Sequence, residues 1–235
     1  MDERERIEKS SHWYLSEQID FDKKLIFFRF LTLKPFLRGP YGLELGPAEG
    51  EMTRFLVNHF EKLIIVDASH DLLRCIPEYP NVIKIHSLFE NYAPSCRFDS
   101  IIMEHVLEHV SDPLALLCRA KTWLGDGGRI IVGVPNGLSF HRLAAVKMGL
   151  LEDPCQLNTR DILLGHRRVF TPDTLRGLLL STGLHLIDMG GVFFKPLSNQ
   201  QIQEQWSEAM IQGFYELGKD FPSHAAELYA VCELL

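Results

Sequence analysis

The stretch Gly42-Leu-Glu-Leu-Gly-Pro-Ala-Glu-Gly50 follows a short apolar run and precedes a helical pattern. Gly46 and Gly50 let a backbone turn sharply and approach a ligand with no Cβ in the way. Seventeen residues past Gly50, Asp67 ends a second apolar run. A carboxylate there can accept both hydroxyls of an adenosine ribose. That spacing alone admits a nicotinamide dinucleotide. The loop, however, lacks the third glycine of a GxGxxG turn and carries Glu44, Glu49 and Glu51 around it. Three carboxylates would repel a pyrophosphate, whose preferred seat is a bare helix N-terminus. A cofactor with an amine and a sulfonium suits them, so the charge pattern favours S-adenosylmethionine over NAD.

A second set, His105-Val-Leu-Glu-His109, spells H-x-x-E-H. On a helix the two histidines would share a face and hold zinc, with Glu108 as base. That reading makes the chain a zinc metallohydrolase. Asp112-Pro113 breaks any helix soon afterwards, so the expectation is no metal. His109 is then a structural histidine bonded to nearby backbone, and His105 a ligand-facing one. A third set, His166-Arg167-Arg168, is basic. His166 is suited to accept a proton and Arg167 to hold an anionic acceptor. Tyr14, beside Trp13, is a further substrate-contact candidate.

The elements that must carry these groups read as strands alternating with helices. Short apolar runs bounded by Gly, Pro, Asn, Asp or Ser fall at 41–45, 63–66, 82–86, 100–103 and 130–134. Helical patterns lie between them at 51–60, 71–76 and 113–124, the last capped by Asp112 with Pro113 in its first turn. The Gly125–Gly128 run is expected to stop that helix and turn the chain into the next strand. A helix is expected from about 21 to 36, with Phe21, Leu25, Phe28, Leu31 and Leu33 as a buried stripe. Thr171 and Pro172 open another helix that Gly183 closes. Strand candidates at 184–194, with a break or bulge at Gly190-Gly191, and at 228–235 follow, with one long helix between them. Strands alternating with crossover helices imply an α/β, doubly wound sheet covered on both faces.

Composition bounds the rest. The chain has 235 residues, 46% hydrophobic and 23% charged, enough for one large domain with a sizeable core. A net charge of −7 argues against a nucleic-acid partner, which needs a phosphate-neutralising surface. The five cysteines are scattered, with no CxxC pair, as in reduced cytosolic proteins. The charged start lacks a signal-peptide core, and the apolar stretch 25–33 is short and holds Arg29. The expected address is therefore cytoplasmic, with no membrane insertion.

The successive segments LELGPAEG, VDAS, FDSIIMEHVLEHVSDP and GGRIIVGVPN resemble the motifs of class I S-adenosylmethionine-dependent methyltransferases over roughly residues 41–136. VLEHVSDP is typical of the branch that methylates small molecules and sugars, and LGHRRVFTP also resembles that branch. The resemblance implies a seven-stranded, mostly parallel Rossmann-like sheet of order 3-2-1-4-5-7-6, with strand 7 antiparallel. Residues 1–38 would form an N-terminal helical lid segment, 39–235 the methyltransferase domain, and 137–170 a cap insertion. It also implies that Glu44, Gly46, Pro47, Glu49 and Gly50 line the methionine moiety and that Asp67 takes the ribose, flanked by Ala68 and Ser69. Ser87, Leu88 and Phe89 would bracket the adenine, while Glu104 and His105 would lie near the sulfonium. Pro47-Ala48 departs from the family's frequent Gly-x-Gly and should stiffen the loop.

The expected activity is methyl transfer to an oxygen or nitrogen of a small-molecule acceptor, with a sugar or glycan precursor as the suggested class. A hydroxyl acceptor would call for a base, for which His105 and His166 are the catalytic candidates. The zinc metallohydrolase, and a catalytically weak cofactor-binding partner subunit, are the alternatives.

Overall fold

The computed structural model describes residues 6–7 and 20–235. Tyr14, with the rest of 8–19 from the expected lid segment, lies outside the described residues. One sheet organises the chain, in the order β3-β2-β1-β4-β5-β7-β6. Its strands are β1 (Tyr41–Leu45), β2 (Lys62–Asp67), β3 (Val82–His86), β4 (Phe98–Glu104), β5 (Leu124–Pro135), β6 (His185–Val192) and β7 (Glu227–Glu233). β7 runs antiparallel to both neighbours, and the pairs among β1 to β5 are parallel.

The central strands are apolar on both faces because helices cover both. Leu43, Leu45, Ile101, Met103, Ile130 and Val132 point to one face. There they meet α4 (Pro113–Trp123) and α7 (Pro172–Ser181) through Leu116, Leu117, Ala120, Leu175 and Leu179. Leu63, Ile65 and Ile102 point to the other face. Phe30 of α1 (Asp20–Leu33), Leu56 of α2 (Thr53–Leu56) and Leu73 of α3 (His70–Cys75) cover them.

α1 is buried on two sides. Phe21, Leu25 and Phe28 pack on Val192 and Phe193 and on two helices near the C-terminus, α8 (Asn199–Gln205) and α9 (Glu208–Asp220). Phe30 meets α2. The expected stripe therefore holds for Phe21, Leu25, Phe28 and Leu33, whereas Leu31 is exposed. The helix is part of the fold's packing, and its Arg29 is carried inward with it.

Several boundaries differ from the sequence pattern, each for a local reason. The helix expected at 51–60 contracts to α2, because Gly50 sits at φ +85°, outside helical space, and the chain turns again by His59. The Gly125–Gly128 run lies inside β5, where Phe98 pairs with Leu124 but Ser100 with Arg129, so the glycines form a bulge. In β6 the register shifts between Leu186 and Asp188. Gly190 and Gly191 pair regularly, and Tyr229 occupies the space a side chain on Gly190 would fill. Two helices, α8 and α9, replace the single one expected between β6 and β7. The stretch 137–170 contains α5 (Phe140–Lys147) and α6 (Thr159–Leu163), knitted by Arg142, which reaches Asp161 at 3.1 Å and the carbonyl of Pro154.

Candidate active site

The carboxyl ends of β1 to β5, the start of β7 and the end of β6 meet along one edge, where open α/β sheets bind ligands. On one side of that edge the loop after β1 is held by backbone bonds. The Gly46 amide donates to the carbonyl of Val66 and the Gly50 amide to Pro47, both at 2.9 Å. Gly46 lies at φ +68°, and Ala48 takes φ +47°, the backbone shape that glycine would adopt more cheaply. The departure at Pro47-Ala48 thus keeps the turn and replaces the glycine.

The loop's acidity is arranged differently from the sequence picture. Glu44 is buried and accepts the Thr53 hydroxyl at 2.6 Å, and burial pushes its carboxyl up to about 8. Glu51 pairs with Arg54 at 3.3 Å. Glu49 is half-buried, and its carboxyl is raised by that burial. Of the three, Glu49 is neither fully buried like Glu44 nor joined to Arg54 like Glu51, and Lys23 pulls against its upward shift.

Asp67 closes β2 and is buried. The Ser69 amide donates to Oδ1 at 2.8 Å. Burial raises the carboxyl to about 6 against the opposing pull of the Ser69, Ala48 and Ala68 amides. Ser69 is turned into α3, its hydroxyl accepting the Leu72 amide, and the Ala68 carbonyl faces His86 at 2.9 Å. Past β3, the Ser87 amide binds the Asp67 carbonyl at 2.9 Å, Leu88 is half-buried, and the Phe89 ring reaches over Gly46. A left-handed glycine turn, a fixed carboxylate and an aromatic ring thus meet at the carboxyl ends of β1, β2 and β3. This donor set fits an adenosine carrying a cationic sulfur centre.

The other side is built from charges. His105 continues β4 by donating its amide to the Gly133 carbonyl at 2.9 Å, yet its φ is +56°. Such strain in a β4 extension tends to persist where surrounding structure fixes it for function. Its Nδ1 lies 3.2 Å from Glu108 and its Nε2 3.4 Å from Glu227, the first residue of β7. Burial and Arg29 work to lower the imidazole's pKa, but Glu227 and Glu108 carry it up to about 9. A quarter of the His105 side chain still meets solvent. Arg29 ties the group together, 3.3 Å from Glu227 and 3.7 Å from Glu104. Glu104 lies directly over Gly133, where any Cβ would strike its carboxylate. Burial lifts Glu104 to about 7 against the pull of Arg29 and His105.

Residues 105–111 are turns, so the helix an H-x-x-E-H zinc site requires does not form. Glu108 instead gathers His109 and His166, whose ligating atoms lie within 4.8 Å of one another and of its own. Three guanidinium groups crowd that turn. Arg6 and Arg167 both donate to the His109 carbonyl at 2.8 Å, and Arg168 donates to the carbonyl of Leu107 at 2.8 Å. Their charge opposes a divalent ion there. His166 is buried, 3.4 Å from Asp161, with its ring edge-on to His109. Arg167 binds the 105–111 turn through both its side chain and its backbone amide, which donates to the Glu108 carbonyl. Both residues therefore brace the turn that carries His105; His166 is buried rather than open to an acceptor, whereas Arg167 stays exposed while its guanidinium holds the turn.

Arg29 and Glu227 are site residues the sequence reading missed. Arg29 had a signal, being the lone charge in an apolar run, which a buried helix tolerates only when the charge is paired. Glu227 had only its place before an apolar strand.

A family model described as a methyltransferase domain matches residues 21–188. A ubiquinone biosynthesis O-methyltransferase of Dinoroseobacter shibae is 36% identical over 113 residues, 47% of this chain and 42% of the relative. One of Xylella fastidiosa is 24% identical over 186 residues, 73% of this chain and 71% of that protein. The chain thus spans about two fifths of the length of the first of these curated relatives. Among solved structures, the N-methyltransferase NodS of Bradyrhizobium japonicum with S-adenosyl-L-homocysteine superposes with a TM-score of 0.59 at 14% identity. That match covers 99% of this chain and 98% of NodS. A SAM-dependent methyltransferase of Archaeoglobus fulgidus gives 0.61 at 20% identity, covering 94% and 98%. At these identities the superpositions carry the fold, including the sheet order found here.

Proposed function

We propose that this chain, which belongs to the methyltransferase-domain family, moves a methyl group from S-adenosylmethionine to an oxygen of a small molecule. The observation that carries the cofactor is Asp67, buried at the end of β2 beside the left-handed turn at Gly46 and Gly50. Oxygen is favoured over nitrogen by the O-methyltransferase relatives and by a partly exposed imidazole at the end of β4. When bound, the cofactor supplies an electrophilic methyl group on a sulfonium. The chain aligns and desolvates the reactants. In this reading Asp67 accepts the ribose hydroxyls, Gly46 and Gly50 give the backbone close approach, and Phe89 with Ser87 and Leu88 covers the base. Glu49 and Glu104 face the cationic end. His105 manages the acceptor's proton. The hydroxyl with neutral imidazole, and the oxyanion with imidazolium, hold the same number of protons, so either route needs one proton to leave the pair.

The first test is calorimetric titration with S-adenosylhomocysteine. Next, radiolabelled methyl transfer is measured to a panel of aromatic and sugar hydroxyls, the sugars being the class suggested by the VLEHVSDP branch. Micromolar binding and a methylated hydroxyl are expected. Binding of NADH with none of S-adenosylhomocysteine would sink the reading.

A further inference from the structure

The imidazole of His105 lies between two carboxylates that are not equivalent. Glu108 comes from the same turn, is fully buried, and faces Nδ1 at 3.2 Å. Glu227 comes from β7, more than a hundred residues later, and faces Nε2 at 3.4 Å. Its other oxygen lies against Arg29 at 3.3 Å. Neither His105 Nε2 nor this second oxygen of Glu227 has a hydrogen-bond partner, although both atoms are buried. The same is true of Arg29 Nε and of both carboxylate oxygens of Glu104. Buried polar atoms in folded proteins nearly always make hydrogen bonds, so several held at one point by charge contacts alone mark where a further hydrogen-bonding group completes the set. The point lies where β4 ends and β7 begins, on the side of His105 that faces away from Glu108.

We propose that Glu227 is a positioning residue for methyl transfer: with Arg29 it holds the Nε2 edge of His105 at the carboxyl end of β4, where the acceptor's hydroxyl docks. This rests on the reading of His105 given above. Glu108 fixes Nδ1, and Glu227 fixes the other edge, so the ring cannot turn about its Cβ–Cγ bond. Arg29 in turn keeps Glu227 from closing fully on Nε2, which leaves the contact long enough for an entering hydroxyl to compete. As the oxygen–methyl bond forms, the hydroxyl proton passes to Nε2 if the imidazole is neutral. If the imidazole is already charged, the proton has left to solvent beforehand. The groups facing His105 are Glu104, Glu108 and His109 from its own segment, Arg29 from α1 and Glu227 from β7, while His166, from the stretch after α6, acts on Glu108 and His109. Lys195, just past β6, acts on Glu227.

The experiment is a double-mutant cycle in the full chain with Glu227→Gln, Glu227→Asp, His105→Ala and the pair Glu227→Gln/His105→Ala. Turnover is read on the hydroxyl acceptor, alongside S-adenosylhomocysteine titration and histidine-selective nitrogen NMR. Expected results are a tenfold or greater fall in kcat for Glu227→Gln, partial recovery in Glu227→Asp, and less than a twofold further effect when His105 is already Ala. Cofactor affinity should stay within twofold, and the Nε2 resonance of His105 should move in Glu227→Gln without any acceptor present. Equal losses in both backgrounds, or an unmoved resonance, would overturn the inference. An unimpaired His105→Ala would instead overturn the reading of His105, so the two failures are told apart.

Discussion

Asp67, its glycine loop and the turn after β3 come from residues 44–89 and are joined largely through backbone amides and carbonyls. Arg29, His105, Lys195 and Glu227 come from four distant segments and are joined by side-chain charge. A site built from backbone is fixed by the turn itself, so single side chains there tune binding without breaking the fold. A site built from buried charges is held together by mutual compensation, and removing one member leaves the others exposed to the full cost of burial. The two sides of the cleft should therefore respond differently to the same kind of substitution.

The largest difference is expected at His105. His105→Ala should lower turnover by roughly 10²–10⁴-fold, the range of a lost acid–base group. Its dissociation constant for S-adenosylhomocysteine should stay within about twofold, because none of the backbone bonds of the loop involves it. Stopped-flow turnover with parallel titration measures both. Comparable losses in affinity and turnover would mean that the two sides are one site.

Asp67→Ala is the mirror experiment and the next in size. Loss of a charged acceptor should weaken S-adenosylhomocysteine binding by about 1.5–3 kcal/mol. The KM of the acceptor, measured at saturating cofactor, should not change. A raised acceptor KM would show that the carboxylate reaches across the cleft.

The same contrast explains what could be read in the sequence. β1 and β3 fall where the apolar runs stood, and Asp112 and Thr171 cap the helices expected of them. The cofactor side was legible because its parts are near in sequence and each needs a residue type with one conformational use. Glycine at positive φ and a carboxylate at a strand end are of this kind. The acceptor side was legible only at His105. Arg29 and Glu227 meet it only once α1 is buried against the sheet edge and β7 is inserted between β5 and β6, and no local pattern encodes that meeting. His166 and Arg167 were read as acceptor contacts because their side chains suit proton acceptance and anion binding. Packing buries His166 against Asp161 and sets the still-exposed Arg167 on the His109 carbonyl of the 105–111 turn.

Titration should separate the sides as well. Burial raises Asp67 to about 6, opposed by three amides. Lowering the pH through that value adds a proton and removes a ribose acceptor. Affinity for S-adenosylhomocysteine should thus be roughly tenfold lower at pH 5 than at pH 7, and flat over that range in Asp67→Asn. On the acceptor side, Glu227 and Glu108 carry His105 up to about 9. A proton must leave the hydroxyl–imidazole pair before transfer, so kcat/KM should rise about tenfold per pH unit above neutrality and level near 9. A single shared inflection in both profiles would join what the structure separates.

The smallest expected effects come from two helix caps, one on each side. The Ser69 hydroxyl accepts the Leu72 amide at the start of α3, and Asp112 accepts the Ala115 amide at 2.9 Å at the start of α4. Replacing either by Ala leaves one amide without its partner and should lower unfolding free energy by about 1 kcal/mol, read from the urea midpoint at unchanged slope. On stability alone the two variants should match. They should part on ligand binding, because Ser69 also supplies the backbone amide that fixes Asp67 Oδ1 at 2.8 Å. That amide survives the substitution, but the helix start that orients it is loosened. S-adenosylhomocysteine should therefore bind Ser69→Ala about threefold more weakly, under 1 kcal/mol, and bind Asp112→Ala as it binds the parent chain. Asp112 sits beyond the turn that carries His105, so its loss should appear instead as a modest fall in kcat. If Asp112→Ala weakened cofactor binding as much as Ser69→Ala, the cofactor groove would be held by the whole domain, not by its own short stretch of chain.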